Sequence, residues 1–158
     1  MNPEESRAHL EAALRQLVMN DRHLLENDLN ERCIASRLAM YLQAEFPDFA
    51  VDIEYDRQGD TPKRLGLPEE CGNARDREGR ARVIPDMIVH RRGPHGPNVL
   101  VLEMKKSTNP ESRVCDQQRV LAFRQQLHYS FAALIECETR VGHEPNARIT
   151  AWLADPIT

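Results

Sequence analysis

The chain has 158 residues, 41% hydrophobic and 29% charged, which suits one folded domain with a single three-layer core rather than a disordered segment. A formal net charge of −4 argues against a simple nucleic-acid coating protein. No apolar run approaches the ~20 residues of a membrane helix, and the acidic, amphipathic start MNPEESRAHLEAAL is unlike a signal peptide, so a cytoplasmic location and no membrane are expected.

In chain order, residues 4–19 place Leu10, Leu14, Leu17 and Val18 on one helical face. The polar residues 20–30 interrupt the pattern only loosely. A second helix is predicted over 31–45, with the stripe Ile34, Ala35, Leu38, Tyr41 and Leu42, and Pro47 enforces its stop. Residues 49–55 alternate as a strand, with Phe49, Val51, Ile53 and Tyr55 on one face. Residues 56–82 read as a long polar loop punctuated by Gly59, Pro62, Gly66, Pro68, Gly72 and Gly79, a length that is usually functional or mobile.

Strands are predicted over 83–92 and 98–105, joined by the hairpin loop Gly93-Pro94-His95-Gly96-Pro97. On the second strand Val99, Val101, Glu103 and Lys105 share one face and Leu100, Leu102 and Met104 the other, as in a central strand covered on both sides. Asn109 as N-cap and Pro110 at the first helical position predict a helix from there to about residue 128, with Glu111 favoured by the helix dipole. Strands at 129–136 and 148–153 close the chain. The order helix, strand, hairpin, helix, strand, strand predicts an α/β sandwich with a mixed sheet flanked by helices. One domain is expected over 1–158, with 1–30 a helical extension and 31–140 the core. Cys33, Cys71, Cys115 and Cys137 are scattered singly, which favours structural thiols in a reducing compartment over a disulfide framework or a zinc site.

The chemistry centres on Val83-Ile84-Pro85-Asp86 and Val101-Leu102-Glu103-Met104-Lys105. A hairpin centred on His95 sets residue 86 opposite 104, with 103 its neighbour, and a one-residue bulge moves this pair without separating it. Two carboxylates can hold a hard cation such as Mg²⁺, with the Met104 carbonyl a further candidate ligand. Lys105, on the Glu103 face, can orient water or stabilise phosphate charge. Isolated E-x-K pairs on strands are commonly surface salt bridges. Here the Pro-Asp, the register and the apolar run agree. The residues flanking Asp86 also carry the basic excess: segment 57–92 holds nine basic and six acidic residues, against five and twelve in 1–56. An anionic substrate bound with divalent cations suits that distribution, as does an ordinary solvated loop.

The stretches IPDMIVHRR (84–92) and LVLEMKKS (100–107) resemble the two halves of the signature of the PD-(D/E)xK nuclease superfamily, and the flanking elements resemble its αβββαβ core. The resemblance covers about residues 31–140. It implies a restriction-endonuclease-like fold and Mg²⁺-dependent (or Mn²⁺-dependent) cleavage of nucleic acid, DNA ahead of RNA. Asp86 and Glu103 would be metal ligands and Lys105 the catalytic lysine. Glu31 matches the acidic residue that many members carry on the first core helix, although a Glu there is favourable for the helix alone. On the helix after the motif, Gln118 or Asp116 would assist the site, against the simpler reading of a solvated helix face. Arg80, Arg82, Arg91, Arg92 and Lys106 are candidate phosphate contacts. His90 shares a face with Asp86 and fits a satisfied sheet histidine better than a site residue, and Trp152 fits the core.

Two functions from different classes fit the sequence. One is a small metal-dependent nuclease of restriction, defence or mobile-element processing. The other is a non-catalytic nucleic-acid-binding or interaction module on the same fold, with the N-terminal helix offering a homodimer or partner surface.

Overall fold

The computed structural model describes residues 1–55, 57–58, 61–62, 64–71, 81–82 and 84–155. Three helices come first. α1 (Pro3–Asn20) begins with Pro3 behind an Asn2 cap whose Oδ1 accepts from the Glu5 amide at 2.8 Å. α2 (Arg22–Glu26) is a short helix inside the stretch read as polar and unpatterned. α3 (Glu31–Glu45) has the predicted bounds, and Asn30 Oδ1 caps it by accepting from the Cys33 amide at 2.8 Å. β1 (Ala50–Ile53) follows.

Within the segment expected to be a plain loop lie two small antiparallel ladders. β2 (Arg57–Gln58) pairs with β3 (Thr61–Pro62), and β4 (Arg64–Leu65) with β5 (Ala81–Arg82). A 3₁₀ turn, Glu69–Cys71, lies between β4 and β5. The remaining elements are β6 (Met87–His90), β7 (Asn98–Lys106), α4 (Val114–Leu127), β8 (Phe131–Glu138) and β9 (Asn146–Leu153).

The main sheet is mixed, in the order β1-β6-β7-β8-β9. Only the β7–β8 pair is parallel, with α4 as the crossover between them. Two apolar layers cover the sheet. On one face Leu10, Leu14 and Leu17 of α1 and Ile34, Leu38 and Leu42 of α3 pack on Leu100, Leu102 and Met104. On the other, Val120, Phe123 and Leu127 of α4 pack on Ile88, Val101 and Tyr129. The protein is therefore an α/β fold with a five-stranded mixed open sheet between helices. α1 is part of that core rather than an appendage to it, since Leu10, Ala13 and Leu17 are fully buried. Trp152 stacks on Phe131, as its strand pattern predicts.

Several expectations are corrected. The pairing of β6 with β7 slips between Val89 and His90, which sets Val89 against Leu100 but His90 against Asn98. The extra residue, Val99, turns into the same apolar layer as Leu100 instead of sharing the Val101 face. The hairpin loop needs a glycine at position 96, where a Cβ would lie 1.7 Å from the Arg91 carbonyl oxygen. α4 starts at Val114, not at Asn109 and Pro110. Asn109 instead makes a local turn, its Oδ1 accepting from the Glu111 amide at 3.0 Å, while the Arg113 guanidinium donates to the carbonyls of Lys106, Asn109 and Glu111. That wrapped loop satisfies the backbone that an earlier helix start would have paired. Finally, Cys71 and Cys115 form a disulfide, whereas Cys33 and Cys137 are free. Residues 44 apart cannot be matched by spacing alone. A disulfide is uncommon in reducing compartments and does not support the expected cytoplasmic location.

Candidate active site

Asp86 lies just before β6, where Pro85 ends the preceding segment. Its carbonyl accepts from the Glu54 amide at 3.1 Å, which fixes the backbone against the end of β1. Its Oδ2 accepts from the Met104 amide at 2.8 Å. The β7 amide thus aims the Asp86 carboxyl at β7, beside the Glu103 carboxyl. The observed register sets Met87 against Leu102, so Asp86 falls opposite Glu103 itself rather than Met104. The hairpin is centred one position earlier than His95, with His90 against Asn98, and the extra residue Val99 recovers one of the two positions by which this would move the register.

Glu103 is 5% exposed. Burial first, then the Asp86 charge, push its carboxyl well above the ordinary glutamate range, against the pull of Arg119. Burial also raises Asp86, partly offset by the Met104 amide and the contact with Glu103, and Glu31 adds to the rise. The Glu103 Oε1 atom is buried and makes no hydrogen bond among the described residues; the Arg119 Nε stands 3.8 Å from it.

Lys105 shares the Glu103 face, as predicted, and its Nζ is bonded to Glu111 Oε2 at 3.0 Å and lies 3.7 Å from Asp116 Oδ1. Burial lowers the Lys105 ammonium, but the Glu111 hydrogen bond and the charges of Asp116, Glu111 and Glu31 outweigh it and hold the group above its ordinary value. Asp116 is 2% exposed, so the solvated-face reading of that residue is overturned. It also pairs with Arg119, one turn further along α4. Arg119 stands in the sequence only as one more polar residue of this helix, and Glu111 only as a helix-start acid. The i, i+3 spacing of Asp116 and Arg119 was the available signal, but which face α4 buries depends on the helix starting at Val114.

The other candidates divide. Glu31 Oε1 accepts from the Lys106 amide at 3.1 Å and from Asn109 Nδ2 at 2.9 Å, tying the start of α3 to the end of β7. Glu31, Ile53, Glu54, Asp86 and Met104 line a small polar pocket of about 100 Å³. The Met104 side chain is core, and its amide, not its carbonyl, touches Asp86. Lys106 projects to the opposite face from Lys105 and pairs with Asp28 at 3.1 Å. Gln118 is half-buried on α4. Arg91 lies five residues beyond Asp86, roughly 16 Å along an extended strand. There its guanidinium covers the Phe49 ring, so the structure does not bring it to the carboxylates. Arg92 pairs with Asp52 at the same end, and His90 is a satisfied sheet histidine bonded to Asp52 at 2.7 Å. Arg80 and the Arg82 side chain lie outside the described residues.

Among the described residues no three His, Cys, Asp or Glu side chains gather into a group that could hold a metal ion. The chain matches no protein-family model, no curated protein and no solved structure.

Proposed function

We propose that this chain is a Mg²⁺- or Mn²⁺-dependent nuclease built on a restriction-endonuclease-like αβββαβ core, hydrolysing phosphodiester bonds of nucleic acid, with DNA ahead of RNA. The observation that carries this reading is the half-buried Asp86 set opposite the buried Glu103, with the Lys105 ammonium two residues along the same strand face. Two carboxyls set side by side, with one buried oxygen left without a hydrogen bond, fit a hard cation between them. Asp86 and Glu103 would hold it. Mg²⁺ commonly binds through one or two carboxylates and keeps several waters, so a third side chain is not required. Bound there, the ion would supply Lewis-acid activation of water and phosphate.

The chain's own groups do the rest. Met104 orients Asp86 through its amide. Glu31 braces β7 against α3. Lys105 and Arg119 place positive charge beside the carboxyls, where negative charge builds on a pentacovalent phosphorus. Asp116 holds both cations in place.

A non-catalytic interaction module on the same fold is the second reading, and the Lys105 ammonium already taken up by Glu111 and Asp116 favours it. Cleavage of labelled single- and double-stranded DNA and RNA in Mg²⁺, Mn²⁺ or EDTA separates the two, comparing the native chain with Asp86→Ala and Lys105→Ala. Metal-dependent cleavage lost in both variants supports the nuclease. No cleavage, together with no Mn²⁺ binding by calorimetry, transfers the assignment to the interaction module.

A further inference from the structure

A second cavity lies away from the carboxylates. It is a groove of about 520 Å³ between α1 and the first half of β9. Its apolar lining comes from Leu14, Val18 and Met19 on the helix and Ala147 and Ile149 on the strand, and Met19 is 73% exposed. Three arginines line it, Arg7, Arg15 and Arg148, against one acid, Glu11, which is already bonded to Arg7 at 3.1 Å. In a chain of net charge −4 this is a local positive rim over an apolar floor.

β9 is also the last strand of the sheet, paired on one side only, with β8. Its register breaks between Leu134 and Ile135, which leaves Asn146–Ile149 as the regular stretch that lines the groove. Four residues span roughly 14 Å at the usual strand rise, so an extended segment of five or six residues fills the groove.

From this we infer that the α1–β9 groove docks a short acidic peptide segment of another protein, which adds to β9 as a sixth strand. Its alternate apolar side chains face Val18, Met19 and Ile149, the carboxylates between them fall on the Arg148 side of β9, and a carboxylate at the end of the segment meets Arg15 on α1. Edge addition supplies backbone hydrogen bonds, and the side-chain pattern supplies selectivity. A second copy of this chain is the poorer occupant. Pairing β9 with its own copy sets Arg148 near Arg148 with no free acid on either strand, and like charges across a ladder repel. The inference is independent of the nuclease reading.

The test uses the full chain and capped eight-residue peptides alternating valine with glutamate, or valine with lysine, followed by amide and methyl chemical shifts. The glutamate peptide is expected to shift the amides of residues 146–149 and the methyls of Val18, Met19 and Ile149. Affinity should fall roughly tenfold in the double variant Arg15→Glu, Arg148→Glu, which should instead take the lysine peptide. Both side chains are exposed, so the variant keeps its fold, checked by an unchanged melting temperature. Equal affinity for the two peptides, shifts confined to other surfaces, or concentration-dependent dimerisation through these same residues overturns the inference.

Discussion

The Met104 amide donates to Asp86 Oδ2 at 2.8 Å, one residue beyond the glutamate whose carboxyl Asp86 also contacts. A backbone group of β7 thus forces two acids together whose ionised forms repel. Both carboxyls sit above their ordinary values, so between those values and their raised ones the folded state binds more protons than the unfolded state. Their contribution is therefore fully present below the ordinary carboxylate range and is lost as pH rises above about 4.5.

In EDTA, Glu103→Gln is accordingly expected to melt higher than the native chain at pH 7 to 8, with the difference vanishing near pH 4. Each kcal/mol relieved raises the melting temperature by roughly 3 °C for a chain of this size. Saturating Mn²⁺ should stabilise the native chain, by about 2.7 kcal/mol at a hundredfold excess over its dissociation constant, and should not stabilise the variant. Thermal melts across pH, with and without the ion, measure both. A native chain indifferent to pH and to Mn²⁺ would sink the shared-site account.

Glu111 binds Lys105 from an exposed position, with 72% of its side chain accessible. Glu111→Gln should change stability by less than about 0.5 kcal/mol, as exposed pairs do. It should lower the Lys105 pKa, because the Glu111 hydrogen bond is the strongest raising influence on that ammonium. Freed from its partner, Lys105 should bind a short oligonucleotide roughly threefold more tightly at low salt. Nitrogen-detected titration of the lysine and fluorescence anisotropy read the two effects. An unshifted lysine would place its charge under Asp116 alone.

Much of this site was legible because it is local. The E-x-K spacing on one strand, the Pro-Asp before the partner strand and the apolar stripe and Pro47 stop of α3 each depend on few residues. What was not legible depends on partners far along the chain. The Asn109 side chain is taken by Glu31 and by the Glu111 amide, which moves the α4 start to Val114 and turns Asp116 inward. Residue types at 109 and 110 favour a cap, but propensity yields to a loop whose carbonyls are satisfied by Arg113. The single bulge at Val99 moved one apolar residue to the other layer, and no local pattern marks it. The short ladders after β1 fall in a stretch without alternation.

The Cys71–Cys115 bond ties the turn after β4 to the first turn of α4, beside Asp116. A second tie lies further along α4, where the Gln126 side chain exchanges two hydrogen bonds with the Gly66 backbone. Closing a loop across 44 residues removes unfolded-state entropy worth about 4 kcal/mol in the chain-entropy account. Cys71→Ser with Cys115→Ser, or reduction by a dithiol, should therefore lower stability by about 2–4 kcal/mol in denaturant titrations. The fold should persist, because the two apolar layers of the sheet do not include this bond. Hydrogen exchange should quicken first in residues 64–71. Loss of protection throughout β7 and β8 instead would make the bond a requirement of the core.

Asp52 gives the opposite pH signature at the far end of β6. Burial would raise its carboxyl, but hydrogen bonds from Arg92 and His90 outweigh that and hold it below its ordinary value of 3.8. Its contribution is present above that value and is lost as pH falls through the lowered one, the reverse of Glu103. Asp52→Asn should consequently destabilise the chain at pH 7 and cost progressively less in acid. Part of the cost is the half-buried pairing with His90, which also packs edge-on to Tyr55 at 4.6 Å. Combining Asp52→Asn with Glu103→Gln tests whether the two ends are independent. They lie on β1 and β7, with β6 between them and two register positions apart, and share no partner among the described residues, so their effects on stability should add within about 0.5 kcal/mol. The double variant's stability should then vary least with pH, because the two opposing titrations have both been removed. A double variant that keeps the native pH profile would show that other groups set it.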